Sequence, residues 1–533
     1  MRQHTIIYCI LASVIISLYS CKNTSKDKRS HMVFRYNEHA NITSLDPAFA
    51  KDQRNIWACH QIYNTLVKQD HNLHIKPDLA KSWRISEDGK TYTFQLRDSI
   101  FFHQHPIFGE DSTKQMTAED VVFSLKRLTS TDVASPGSWV LDQVEAIKQI
   151  SKLSLQIELK QAFPPFLGIL SMKYCSIVPK ESKQLNLRKT PIGTGPFYLK
   201  RWLENEKMVL RRNKLYFETD SLKNQLPYLE AVAITFLPDK QSEFMAFLQG
   251  KLDFLSGLDP SYKDELLTNT GQLQPQHRDK IILEKSPYLN TEYIGINMES
   301  QDKAIQNINF RKALNFGFNR EKMITYLRNG IGFPANNGFI PKGLPGYLSK
   351  KLYSFNKDSA LYYLNKYKSE TKSSTPKINI TTNANYVDLI EYIQKSYQEL
   401  GIETSVEVLP PSTIRQQRSA GQLDLFRASW IADYPDAENY LGLFYSEKKA
   451  PKGPNYTRFS HRIFDSLFVK SQTIQDDSLR YIYYKKMNRL IANEAPVIPL
   501  YYDQITRFYH KNIKGLQMNP VNLLDLKTVY KEH

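Results

Sequence analysis

The spacing of apolar residues changes along the chain, and the changes mark its elements. Tyr92, Phe94 and Leu96 alternate with polar neighbours over Thr91–Leu96. That period of two belongs to a strand with one buried face, here preceded by the turn Glu87-Asp88-Gly89 and the stretch Leu79–Trp83. Val121, Val122, Leu125 and Leu128 recur at helical spacing behind Thr117 and Asp120, a capping pair. Further strands are predicted over Met32–Tyr36, Phe197–Trp202, Met208–Arg211 and Tyr293–Asn297, and further helices over Trp57–Leu66, Phe310–Leu327 and Leu479–Asn493. Gly332–Tyr347, rich in Gly, Pro and Asn, predicts an irregular loop. The clearest unit is Lys377–Thr381 as strand, Val387–Leu400 as amphipathic helix, Gly401 as its cap and Ile402–Leu409 as strand. This is a β-α-β crossover, which predicts parallel strands. Leu423–Trp430 and Val497–Tyr502 can extend the same sheet, so the fold class is α/β.

One stretch combines a pattern with candidate chemistry. Leu423–Trp430 is an apolar strand that stops at Ala432-Asp433-Tyr434-Pro435. Pro435 disfavours helix at Tyr434 but suits the first turn of a helix over Asp436–Leu441. Asp433 then sits beside Trp430 and Tyr434, near a positive helix end that keeps it ionised and ready to receive a cation. It can equally serve as a helix cap, and the stretch alone leaves both open. In α/β sheets ligands bind beyond the carboxyl ends of strands, and Asp433 lies just past one.

The chain has 533 residues and a formal net charge of +17. Its Lys and Arg are scattered and no nucleic-acid module signature occurs, so a basic solvated surface is expected rather than nucleic-acid binding. Arg2, the apolar run Ile6–Leu18 and the ending Leu18-Tyr19-Ser20-Cys21 predict a secretory signal over residues 1–20. The ending resembles a bacterial lipobox, with Tyr19 bulkier than usual. Cys21 would then be the lipidated first residue, and Lys22–His31 a polar tether to a membrane face. Cys59 and Cys175 remain, either as one disulfide or as buried thiols.

Enzymatic signatures are missing: there is no Gly-x-Ser-x-Gly, His-Glu-x-x-His, Cys-x-x-Cys or P-loop. His103 and His105 are expected in a solvated loop rather than on a metal. Gly193 and Gly195 precede Pro196 and a strand, so they serve a tight bend rather than a phosphate. No cofactor, metal site or catalytic residue is expected.

A resemblance joins these pieces. Ser44-Leu45-Asp46-Pro47, Pro77–Trp83 with Asp88–Phe94, Thr117–Ser124, Pro191–Phe197, Arg211-Arg212-Asn213, Asn297 and Phe310–Leu314 occur in the order seen in extracytoplasmic solute-binding proteins of family 5. These are the oligopeptide- and dipeptide-binding lipoproteins of ATP-binding-cassette importers. The resemblance implies a periplasmic-binding-protein type II-like fold, two lobes on a hinge plus an inserted domain. Residues 32–53, 190–285 and 500–533 would form lobe I, 54–189 the inserted domain and 286–499 lobe II. It implies a monomer that holds short peptides and passes them to permease subunits outside the cytoplasm, and no enzyme. By the same resemblance Asp433 receives the peptide α-ammonium, Arg427, Trp430 and Tyr434 line the cleft, and the Ser429 backbone pairs with extended peptide. Trp139, in Ser135–Trp139, falls near a cleft aromatic. Lys51 departs from the pattern, standing where oligopeptide binders can carry an acid. The scaffold also serves haem, nickel complexes, sugars and cell-wall peptides, and an anchored peptide or wall hydrolase is the rival of another class.

Overall fold

A computed structural model describes residues 32–532 apart from Leu258, Pro260, Ser373 and Ser374; the expected signal, Cys21 and tether lie outside the described residues. The architecture is α/β, and three sheets organise it. In the first, Val33–Asn37 runs parallel to Ala231–Thr235, followed by Lys207–Arg212 and the edge strand Phe197–Leu203. Phe34, Phe197, Leu210 and Val232 form its core with Leu524, Leu526 and Val529 from the end of the chain. The second sheet is antiparallel: Ala80–Ile85, Thr91–Leu96, Ser154–Leu159 and Val144–Ser151. Its buried face, including Phe94 and Leu155, packs on the helix Ala118–Lys126 through Val121 and Leu125. The Asp120 carboxylate accepts from the Thr117 amide at 2.9 Å, as the capping pattern predicts.

The third sheet has seven strands, six of them in the order Phe254–Ser256, Val497–His510, Ile281–Ile296, Leu425–Ile431, Lys377–Thr382 and Glu403–Val408, with Phe333–Pro334 added on Val497–His510. The predicted crossover is present: Lys377–Thr382 and Glu403–Val408 are parallel, joined by the helix Val387–Gln398. Ile294, Ile380, Leu425 and Leu500 pack on one face of the sheet. Leu289, Tyr293, Phe426 and Tyr440 pack on the other. Ile281–Ile296 and Val497–His510 are antiparallel along most of their length, so the expected boundaries at residues 285 and 500 fall inside paired strands. Their register shifts between Pro287 and Thr291 and again between Glu292 and Tyr293. Bulges of this kind add twist and bend a ribbon locally.

Two expectations need adjustment, the long helix and His103, and two are narrowed, the cysteines and the glycine bend. The helix predicted over Phe310–Leu327 is two helices, Ile308–Phe316 and Arg320–Leu327, because the Asn319 side chain accepts from the Lys322 amide at 2.9 Å and starts a new one. Cys59 and Cys175 are both buried and unpaired, and burial pushes the Cys175 thiol up to about 12. His103 is not in a solvated loop. It is 3% exposed, accepts from the Gly193 amide at Nδ1 (3.3 Å) and donates from Nε2 to the Gly195 carbonyl (3.0 Å). Burial lowers its pKa to about 4, so the neutral ring pins this segment. The bend at Gly193 and Gly195 is also a close approach: a β carbon on Gly193 would lie 2.1 Å from the Ile62 carbonyl oxygen.

Candidate functional site

The strand Leu425–Ile431 alternates its side chains across the sheet, and that parity sorts the candidate residues. Arg427 and Ser429 share one face with Ile294 and Glu292, their register partners on Ile281–Ile296. Trp430 points to the opposite face and packs against the Phe426 and Tyr440 core. Arg427 and Trp430 therefore do not meet. On its other side the strand pairs with Lys377–Thr382 only through Leu425 and Phe426. From Arg427 to Ile431 that edge has no strand partner among the described residues, leaving backbone groups available to an added strand.

Asp433 stands at the turn that follows. Ala432 donates to the Leu289 carbonyl at 2.8 Å, and the Tyr440 hydroxyl sits 2.8 Å from both the Leu289 and Trp430 carbonyl oxygens. Asn439 then organises the tip. Its Oδ1 accepts from the Trp430 indole at 2.7 Å and from the Asp433 amide at 3.4 Å, while its Nδ2 donates to Asp433 Oδ2 at 3.3 Å. Asp436 is turned inward onto Arg480 (3.1 Å) and the Tyr484 hydroxyl (2.7 Å). Ala432, Tyr434 and Asp436 are buried, whereas Asp433 between them is exposed. Yet burial by the surrounding protein raises its pKa, Asn439 opposing and Glu438 adding to the rise. The Asp433 carboxylate is thus solvent-exposed yet partly desolvated by the protein around it. The expected helix end is weak, since the helix here is only Glu438–Leu441 with Ala437 as its cap. Desolvation, rather than a helix end, is the largest influence on the Asp433 carboxyl.

The other candidates divide between wall and core. Tyr434 is 4% exposed and belongs to the apolar core built by Phe94, Phe166 and Leu170, with its hydroxyl on Glu438. Its ring is thus a packing element in this structure. Trp139, in the short helix Ser138–Leu141, is half-buried against the same core. Arg427 is paired with Glu292, their side chains 10% and 3% exposed, and its guanidinium lies 3.2 Å above the Tyr386 ring. Glu292 takes an amide hydrogen bond from Asn290 at 3.1 Å, and Asp503 pairs with Arg328 at 2.7 Å. Burial raises the Glu292 pKa against the pull of Arg427. Lys51 is exposed. A cavity of about 540 Å³ opens elsewhere, between His103–His105 and the edge strand Phe197–Leu203, and none of the candidate residues lines it. Among the described residues no group of three His, Cys, Asp or Glu side chains is placed to hold a metal, and no helix is long and apolar enough to cross a membrane.

Asn439 and the set Glu292, Asn290, Asp503 and Arg328 were not singled out by sequence. Asn439 sits six residues from Asp433 inside the same stretch, so its signal was present; the others come from distant strands and carry no local spacing.

A seven-stranded sheet built on two long bulged strands, beside a smaller mixed sheet and an antiparallel unit, is the layout of a multi-domain α/β protein. The family model for bacterial extracellular solute-binding proteins, family 5 Middle, matches residues 74–452, and the chain belongs to that family. Its relatives include the dipeptide-binding protein of Escherichia coli (strain K12), 24% identical over 486 residues that cover 86% of this chain and 87% of the relative. Heme-binding protein A of Haemophilus influenzae is 25% identical, covering 86% and 85%. A solved structure of the transporter-associated periplasmic binding protein DppA from Helicobacter pylori, in complex with the peptide STSA, superposes with a TM-score of 0.75 at 26% identity. That superposition covers 94% of this chain and 98% of that one. The fold is therefore the two-lobed type II binding-protein fold with a hinge and an extra domain, and the chain is an extracytoplasmic solute-binding protein.

Proposed function

We propose that this protein captures short peptides between its lobes and delivers them to the permease of an ABC transporter, with Asp433 receiving the peptide's free amino terminus. Residues 32–53, 190–285 and 500–533 act as one lobe, 286–499 as the other, and 54–189 as the inserted domain. Cys21 carries the lipid that tethers the monomer to the outer face of a membrane. The observation that carries the reading is the carboxylate of Asp433: exposed, held by Asn439 and without a lysine or arginine partner among the described residues. The neighbouring open edge at Arg427–Ile431 suits an extended backbone, with Ser429 inside it. Backbone pairing plus one terminal charge accepts many peptide sequences. The names of the relatives, dipeptide-binding among them, support a peptide ligand; the haem-binding relative supplies the second reading, a different solute on the same scaffold.

Truncating one member of a buried charge pair costs about 2–5 kcal/mol. Asp433→Ala therefore weakens a cognate peptide tens- to thousands-fold in calorimetry, and N-acetylation of the peptide does the same to the unaltered protein. Equal binding of acetylated and free peptides removes the amino-terminal assignment, and haem binding without peptide binding favours the second reading.

A further inference from the structure

We propose that Tyr174, on the inserted segment, is a second binding residue for the ammonium group: its phenol oxygen accepts a hydrogen bond from the ligand while Asp433 supplies the charge. The inference rests on the peptide reading above and adds an uncharged acceptor on the opposite wall. Its basis is the way the Asp433 turn docks. Tyr434, the residue after Asp433, is buried in the same apolar core as Tyr174. Both Tyr434 and Pro435 lie over Gly168, where a β carbon would be 3.6 Å from each. Gly168 belongs to the helix Phe166–Leu170, and Tyr174 sits in the short helix Lys173–Cys175 just beyond it. The turn is thus seated on the helix just before the one that carries Tyr174.

The Tyr174 ring is itself held in place. It lies against the Gly137 backbone so closely that a β carbon there would come within 2.3 Å of Cδ1. Gly137 caps the short helix holding Trp139, so both aromatics are set by one loop. Tyr174 is 8% exposed, and among the described residues its hydroxyl has no hydrogen-bond partner. Burial, then the nearby carboxylates of Asp433 and Asp52, push the phenol up to about 12. The hydroxyl is therefore neutral at physiological pH and keeps lone pairs to offer. An ammonium carries three donors, and the carboxylate approaches from one side only. A neutral oxygen from the facing element satisfies a second donor without adding another charge to desolvate.

Tyr174→Phe removes one oxygen and keeps the ring on Gly137, so the fold is retained. Calorimetry would compare a peptide with a free amino terminus and its N,N-dimethyl form, which keeps the positive charge but only one N–H. The unaltered protein is expected to bind the free form more tightly. In Tyr174→Phe the free form weakens roughly ten-fold or more, the worth of a hydrogen bond to a charged group, and the dimethyl form changes little, so the preference collapses. If Tyr174→Phe binds both forms as the unaltered protein does, or weakens both equally, Tyr174 is a packing residue and the inference is overturned. Asp433→Ala separates the two failures. If it too leaves binding unchanged, the amino-terminal reading has failed as well; if it abolishes binding, only the role of Tyr174 is lost.

Discussion

Two carboxylates stand on either side of one strand pair and live in opposite conditions. Glu292 is buried, bound to Arg427, and supported by Asn290, with a second pair, Arg328 and Asp503, beside it. Asp433, just beyond the Asn290–Ile431 register pair, has an amide for company and no cation among the described residues. The first region has answered its own charges internally, which ties strands together but leaves little to offer a ligand. The second has been left incomplete. A charge that the fold does not satisfy is where a ligand contributes something the protein lacks, and that contrast is what supports Asp433 as the proposed binding group.

The contrast can be broken from its satisfied side. Glu292→Ala leaves Arg427 buried without its counter-charge, which costs roughly 3–5 kcal/mol of folding stability. Denaturant unfolding measures that loss, and the preference for a free amino terminus should survive in whatever protein remains folded. A stability change near zero would show the pair to be ornamental, and loss of the amine preference would move the binding site to Glu292.

Acid sharpens the comparison from the other side. Only ionised Asp433 attracts an ammonium, and its pKa in the free protein is raised. Affinity is therefore level above that raised pKa and falls as pH drops through it, by up to about ten-fold for each unit below. The loss begins at a higher pH than an ordinary carboxylate would show, and Asp433→Ala should have no such step. A step of the same size in that variant assigns the titration to another group.

The smallest effect concerns aim. Asn439→Ala removes one hydrogen bond to Asp433, worth about 1 kcal/mol, so peptide affinity falls roughly five-fold. Because that bond lowers the Asp433 pKa, its loss also moves the acid step to higher pH. An unmoved step would mean that Asn439 serves Trp430 alone.

Much of this organisation was legible in the residues. The crossover ending at Gly401 followed from apolar spacing and a glycine, and Gly401 indeed takes φ +81°. Asp433 was marked by a strand that stops at a proline. Some readable information was passed over: Arg427 and Trp430 are three apart in a strand, which places them on opposite faces by parity alone. The break at Asn319 was hidden because Phe318, Met323 and Ile324 continue an apolar pattern through it, all of them buried. Pairing of Arg427 with Glu292, across 135 residues, and the docking of Tyr434 into a core built mostly from residues 48–192, are set by tertiary folding. No local window contains both members of such contacts.

The paired strands Ile281–Ile296 and Val497–His510 bear on how a protein of this kind can change over generations. Each runs past a proposed lobe boundary, so the proposed lobes are joined through paired strands rather than through a simple linker. Copying, swapping or deleting one half would tear a strand out of the other's sheet and leave an unpaired edge. Exposed turns such as residues 221–225 can be rewritten freely, and so can the exposed side chains near Asp433. The weave can only be inherited whole.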